Sequence, residues 1–138
     1  MSFDVYVQTF KLGEPSGLPR ARIREAFSPY LFELEPNLWR LVFGPNDSCS
    51  LSLKTVGGLA DQIHNITVGR PCSDPRLWDG LAHLLTLGNT VLYFPGCNGP
   101  LMSSLSAASH LPSGMLDALG KPSIVTNGSE IVGHVRAA

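Results

Sequence analysis

Cys97 is the side chain best placed by the sequence for chemistry, because it lies in a glycine- and proline-rich loop directly after a predicted buried strand. The loop runs from Phe94 to Pro100 and includes Gly96 and Gly99. Backbone amides that no side chain shields can bind a phosphate or an oxyanion, and a thiol beside them could act as a nucleophile. That thiol would need a neighbouring base to ionise at neutral pH, since a free cysteine has a pKa of about 8.5. The glycine spacing matches neither a P-loop nor a dinucleotide-binding fingerprint, which favours an ordinary connecting loop.

An aspartate and a histidine one turn apart form the second candidate. Asp79 and His83 share one face of a predicted helix with Arg76. Such a pair can orient a base or begin a metal site, but a catalytic zinc usually needs three protein ligands and the sequence offers no third. We therefore predict a solvated helix face with a weak ion pair, and neither a metal nor a cofactor site.

Three arginines in close succession form the only basic cluster. Arg20, Arg22 and Arg24 lie in a predicted helix, where a spacing of two residues splays alternate side chains around the axis. They could meet an acidic partner or a phosphate. A solvated helix surface is the favoured interpretation, because charge clusters of this size are common on protein surfaces.

The element that would position these groups is a helix followed by a short buried strand. Asp74 is a suitable N-cap, and Pro75 suits the first helical position. Gly88 suits the left-handed conformation that ends a helix, and the apolar run Val91–Phe94 follows. We predict a helix from Asp74 that packs its leucine-rich face on the core.

Alternation of apolar and polar residues elsewhere predicts several strands. One is expected near the N-terminus, around Phe3–Val7, and Pro19–Phe27 is expected to form a short helix. A meander of four strands follows, approximately at Tyr30–Leu34, Leu38–Phe43, Cys49–Thr55 and His64–Val68. The sequence thus predicts a single globular α+β domain over residues 1–138, with an antiparallel meander sheet, one main packed helix and two or three short helices.

Composition excludes several classes of function. The chain has 138 residues, of which 43% are hydrophobic and 15% charged, and its formal net charge is −1. This balance is not that of a nucleic-acid-binding module, whose affinity depends on neutralising phosphates. Three widely spaced cysteines leave at least one thiol unpaired, which favours a reducing compartment. With no signal-peptide pattern and no apolar run of about 20 residues, a cytoplasmic protein without a membrane segment is expected.

Three segments together resemble a group of small bacterial proteins associated with polymorphic-toxin and immunity neighbourhoods. They are Ser2–Gln8, Arg70–Cys72 and Gly88–Pro95. The resemblance covers most of the chain and implies an inhibitor that binds a toxin domain, but it carries over no catalytic residues. The net charge of −1 departs from the strongly acidic character typical of inhibitors of nuclease toxins.

The hypothesis is accordingly a soluble protein-binding module, of the immunity or antitoxin type, that inhibits its partner by covering it. The segment from Pro95 to Pro112 is the predicted contact surface, with Leu101, Met102 and Leu105 as apolar anchors. The alternative is a small enzyme or ligand-binding protein that uses the Cys97 loop. A third reading is a subunit whose apolar surface mediates homo-oligomerisation.

Overall fold

The computed structural model describes residues 3–138 and contains ten strands, four α-helices and one 3-10 helix. The strands are β1 (Asp4–Lys11), β2 (Glu14–Pro15), β3 (Leu18–Pro19), β4 (Leu31–Glu35), β5 (Leu38–Gly44), β6 (Asp47–Val56), β7 (Leu59–Gly69), β8 (Thr90–Tyr93), β9 (Leu101–Met102) and β10 (Ser123–Ile124). The α-helices are α1 (Arg20–Phe27), α2 (Pro75–Leu85), α3 (Met115–Leu119) and α4 (Gly128–Ala137), and the 3-10 helix is Leu105–His110.

All ten strands belong to one open sheet with the order β10-β9-β8-β1-β7-β6-β5-β4, to which β2 adds beside β1 and β3 beside β7. The pairings are antiparallel except for β9 with β10, which is parallel. The predicted α+β class with an antiparallel meander is therefore confirmed, and β4 to β7 form the meander. The N-terminal strand β1 inserts between β7 and β8 in the middle of the sheet.

The main hydrophobic core lies between one face of the sheet and the helices α1, α2 and α4. Strand register explains its composition, since Val7 lies between Ile66 of β7 and Leu92 of β8, and all three side chains are buried. Leu81 of α2 and Ile131 of α4 complete this layer from the helix side. Because side chains alternate along strands, the next residue of each strand points to the other face.

Helix α2 begins and ends as its sequence predicts. The Asp74 carboxylate accepts hydrogen bonds from the backbone N–H and the guanidinium of Arg76, and these bonds hold its pKa at about 2. The Arg76 guanidinium also donates to the carbonyl oxygen of Phe43 in β5, at 2.9 Å. Beyond the helix, Gly88 adopts a positive φ of 57°. The start of α2 is thereby tied to the meander as well as capped.

The second face of the sheet is covered at one end only. At the β8–β9 end, the 3-10 helix and α3 pack on a second apolar cluster that contains Phe10, Val91 and Met102. On β5, β6 and β7 the same face carries polar side chains, such as Ser52 and Lys54, and none of the helices described in residues 3–138 contributes to a cluster there. We call this polar surface the bare face.

Candidate functional site

The structure corrects the predicted contact segment. Leu101 and Met102 form β9 and are 1% and 0% exposed, one in each hydrophobic cluster, so neither side chain can anchor a partner on the folded surface. Leu105 differs, since it begins the 3-10 helix and is 60% exposed. The segment from Pro95 to Pro112 is thus an ordered part of the sheet and its covering layer, with one accessible apolar side chain among the three predicted.

Cys97 lies in a groove of about 290 Å³ at the end of β8. The groove is walled by Tyr6 and Tyr93, whose ring centroids are 5.3 Å apart, and is closed by the Pro95–Gly96 turn and by α3 residues Ala118 and Leu119. Burial raises the pKa of Tyr93, and the neighbouring Tyr6 and Cys97 raise it further. The arrangement offers two phenols and a thiol in an aromatic setting without a charged side chain in its lining.

The base that a nucleophilic Cys97 would need is absent from this groove, because no histidine lines it. His64 Nδ1 is 3.0 Å from the carbonyl oxygen of Thr9, and His110 Nδ1 accepts a hydrogen bond from the Leu12 N–H. His83 and His134 lie on helices α2 and α4. The groove can hold a small molecule, but its side chains do not form a cysteine–histidine pair.

The other two thiols lie together in the fold. Cys49 is buried at the start of β6, and Cys72 packs against the same cluster after the chain leaves β7. Burial raises the pKa of Cys49 to about 12, and the adjacent Cys72 contributes to this increase. A thiol so strongly held in its protonated form is a poor nucleophile, so Cys49 acts as a core residue, and Cys72 is partly buried against it.

The Asp79–His83 pair on α2 is also structural. The Asp79 carboxylate accepts a hydrogen bond from the N–H of Gly128, at 3.1 Å, and so joins α2 to the first turn of α4. A Cβ atom at Gly128 would lie 2.5 Å from the Asp79 backbone nitrogen, which shows how closely the two helices approach. Asp79 thus has a packing role that the prediction of a merely solvated helix face did not include.

Two of the three clustered arginines bind groups of the meander, whereas Arg22 forms an ion pair with Glu25 of its own helix. Arg20 donates to the carbonyl oxygen of Ala60, at 2.9 Å, and to the carbonyl oxygen of Pro36. Arg24 forms an ion pair with Glu33, and its guanidinium lies 5.2 Å from the centroid of the Trp39 ring. Both side chains therefore tie α1 to the meander, and the cluster is more than the solvated surface that was predicted.

Strand β4 forms an edge of the described sheet, and its register shows which backbone groups are unpaired. The Tyr30 carbonyl accepts a hydrogen bond from the Val42 N–H at 3.0 Å, while Leu31 lies opposite Leu41. Directly opposed residues in an antiparallel pair alternate between hydrogen-bonded and non-bonded. The backbone groups of Leu31 and Glu33 therefore point away from β5 and toward the open edge.

Two large apolar side chains on this edge strand face solvent. Phe32 lies opposite Arg40 at the margin of the bare face and is 56% exposed, and Leu34, at the bulge that follows, is 58% exposed. Leu34 also lines a cleft of about 470 Å³ together with Glu33 and Glu35. We call Leu31–Glu35, with this cleft, the β4 edge.

Sequence reasoning missed the β4 edge, although a signal was present. The sequence Leu31–Glu35 reads Leu-Phe-Glu-Leu-Glu, in which apolar residues occur at three of the five positions, so both faces of the strand carry them. A strand with one face on the core and the other in water would alternate more strictly. The structure shows that Phe32 and Leu34 are the exposed ones, because β4 is the last strand of the sheet and no helix among the described residues covers them.

Within residues 3–138, no group of three or more His, Cys, Asp or Glu side chains is arranged to hold a metal ion. No helix in this range combines the length and the apolar composition needed to cross a membrane. Comparison of the chain with protein-family models, with curated proteins and with solved structures gives no match.

Proposed function

We propose that the protein is a protein-binding module, of the immunity or antitoxin type, that inhibits its partner by covering part of the partner's surface. The observation that carries the proposal is the β4 edge, where Phe32 and Leu34 are exposed beside unpaired backbone groups. Single exposed apolar residues are common, but two on one sheet edge are the feature that natural proteins usually remove. The resemblance of three sequence segments to immunity-associated proteins supports the same function.

The size of the protein is sufficient for such a role. A specific interface covers about 800 Å² on each partner. The accessible surface of the protein is 7205 Å², so an interface of this size would occupy about one ninth of it. The β4 edge together with the neighbouring strip of the bare face provides an apolar centre and a polar rim, the usual arrangement of a protein interface.

The test is to compare what the tagged protein and an edge variant retain from a lysate of the native host. The double variant F32S/L34S changes only exposed side chains, so it should fold normally yet retain at least about tenfold less of a stoichiometric partner. The matched control is L12S, because Leu12 is 76% exposed but lies between β1 and β2, away from β4. A partner retained equally by all three proteins would remove the β4 edge from the proposal.

Inhibition needs a separate measurement with the purified partner. We expect the protein to form a complex of fixed stoichiometry with it and to abolish its activity, whereas F32S/L34S should inhibit only at higher concentration. A partner whose activity is unchanged in the saturated complex would show that the protein binds without inhibiting.

The Cys97 groove supports a second candidate function, the binding of a small molecule. Its aromatic walls and its volume of about 290 Å³ suit a small uncharged ring compound. The test is whether a small ring compound such as indole slows the alkylation of Cys97 by iodoacetamide. A bound compound should protect the thiol in proportion to its occupancy of the groove, whereas an unchanged rate at about 1 mM compound would count against binding there.

A further inference from the structure

We propose that Cys49 and Cys72 form a disulfide when the protein meets oxidised glutathione or a similar small-molecule disulfide, and that this bond fixes the segment between β7 and α2. Both side chains are free thiols in the structure. Neither the β4 edge nor a partner takes part, so the modification is independent of the proposed function. Cys97, the third cysteine, lines the separate groove at the end of β8.

Strand register places Cys49 beside the point where the chain leaves the sheet. Cys49 lies opposite Leu41 of β5 on the face that packs on the helices, and both side chains are buried. The next residue, Ser50, lies opposite Gly69, which is the last residue of β7. The segment that leads from β7 to α2 therefore starts its path next to Cys49.

A bend at Arg70 and a hydrogen bond to α2 hold Cys72 on the same side of the sheet. Arg70 has a φ of 49°, a left-handed conformation that turns the chain out of the strand direction. The carbonyl oxygen of Cys72 accepts a hydrogen bond from Nε1 of the buried Trp78, at 3.0 Å. Cys72 packs against the cluster that contains Cys49, and its thiol and its backbone N–H both hydrogen-bond with the Cys49 thiol.

Two thiols in contact need little movement to form a bond. A disulfide requires its two Cβ atoms to lie about 3.5–4.5 Å apart, and hydrogen-bonded thiols on neighbouring backbone segments are close to that arrangement. Residues 70–74 belong to no helix or strand. This short connection can shift toward β6 without breaking the ladder between β6 and β7.

The two cysteines have different roles in the exchange, because Cys72 is partly exposed and Cys49 is buried. The Cys72 thiolate attacks one sulfur of oxidised glutathione, which breaks that S–S bond, forms a mixed disulfide and releases one glutathione. The Cys49 sulfur then loses its proton and attacks the Cys72 sulfur, which releases the second glutathione. The two protein thiols lose two electrons and two protons, and both are gained by the two molecules of reduced glutathione. Burial raises the pKa of Cys49, so the second step is the slower one.

The disulfide would join β6 to the start of the main helix. It closes a loop of 24 residues, 49–72, which contains the β6–β7 hairpin. A cross-link of this kind restricts the unfolded chain, and the oxidised protein should unfold about 10 °C above the reduced one. Under reducing conditions the thiols remain free, so the pair acts as a redox switch of stability.

Peptide mapping tests the pairing directly, because trypsin places each cysteine in a different peptide, 41–54, 55–76 or 77–136. The full-length protein is incubated with about 1 mM oxidised glutathione, quenched with acid, and alkylated with N-ethylmaleimide in denaturant before digestion. The peptides of Cys49 and Cys72 should be joined in most molecules. A mixed disulfide that persists on Cys72, a bond that involves Cys97, or three alkylated thiols would each overturn the proposal.

Thermal unfolding tests the consequence of the bond. Oxidation should raise the midpoint of wild type and of C97S by about 10 °C, and that of C72S by nothing. Each protein is compared with its own reduced form, so a loss of stability caused by the substitution itself does not affect the result. If C72S fails to fold, reversal of the wild-type increase by dithiothreitol, with the same increase in C97S, provides the second measurement. No increase in wild type, or an increase that C72S retains, would contradict the switch.

Discussion

The two ends of the sheet are covered in different ways. At the β8–β10 end the strands are only two to four residues long, yet apolar layers cover both faces, with α2 on one and the 3-10 helix with α3 on the other. At the β4–β7 end the strands have five to eleven residues, and α1 covers one face only. The longer strands are therefore the less covered ones.

Side-chain chemistry explains this difference. At the β8–β10 end the second face carries Val91 and Met102, which need burial, whereas the bare face carries Ser52 and Lys54, which do not. A sheet face that carries polar side chains can remain in contact with water, so it needs no covering layer. Phe32 at the margin of the bare face is an exception to this rule, since it is apolar and 56% exposed.

Truncating one leucine at each end of the sheet should give the largest difference in the free energy of unfolding. L101A removes a side chain that is buried in β9 and should lower the free energy of unfolding by about 3 kcal/mol, because the cavity cannot collapse fully. L34A at the β4 edge removes an exposed side chain and should change it by less than about 0.5 kcal/mol. Urea denaturation measures both, and equal losses would show that the β4 edge is packed like the core.

Glycine substitutions at the two ends of the sheet should change the free energy of unfolding by smaller amounts. A Cβ atom at Gly99 would lie 1.9 Å from the carbonyl oxygen of Lys121, at a φ of +130°, so G99A should cost about 2 kcal/mol or more. The control is G57A in the β6–β7 turn, where φ is +49° and nothing lies within 4 Å. Its cost should be about 1 kcal/mol, from backbone strain alone. If G99A proved as mild as G57A, the close packing of the β8–β10 end would be contradicted.

The sequence predicts the fold best where the determinants are local. The α2–β8 unit could be recognised because Asp74 and Gly88 act within a few residues of their own positions. β9 could not, since two residues carry no periodicity and its partners β8 and β10 lie outside its local segment. For that reason Leu101 was predicted as a contact residue although it is part of the core.

The candidate sites depend on strand order, which local patterns do not contain. Tyr6 reaches the Cys97 groove only because β1 pairs with β8, far along the chain. The β4 edge likewise exists because β1 is inserted beside β7, which leaves β4 as the last strand of the meander. Residue types indicated Cys97 as a candidate, but neither its neighbours nor the unpaired edge could be predicted from spacing.

The smallest predicted effect concerns the polar contacts at the start of α2, which join this helix to β5. D74A removes the N-cap of α2 and should lower the free energy of unfolding by about 1 kcal/mol at pH 7. D74N is the matched control, because asparagine also caps helices but cannot bind Arg76 as an ion. Thermal unfolding of the three proteins between pH 7 and pH 2 measures the contributions of the cap and of the charge separately.

The pH dependence of this effect has a definite sign. The Arg76 side chain holds the pKa of Asp74 at about 2, below its value of about 3.9 in an unfolded chain. The ionised carboxylate therefore stabilises the fold fully above about pH 4, and its contribution is lost as the pH falls toward about 2. The stability difference between wild type and D74N should shrink over this window, while the difference between wild type and L101A should stay constant. A constant difference for D74N would mean that the Asp74–Arg76 ion pair contributes nothing to stability, and that α2 is held to β5 by the bond from Arg76 to the Phe43 carbonyl without help from Asp74.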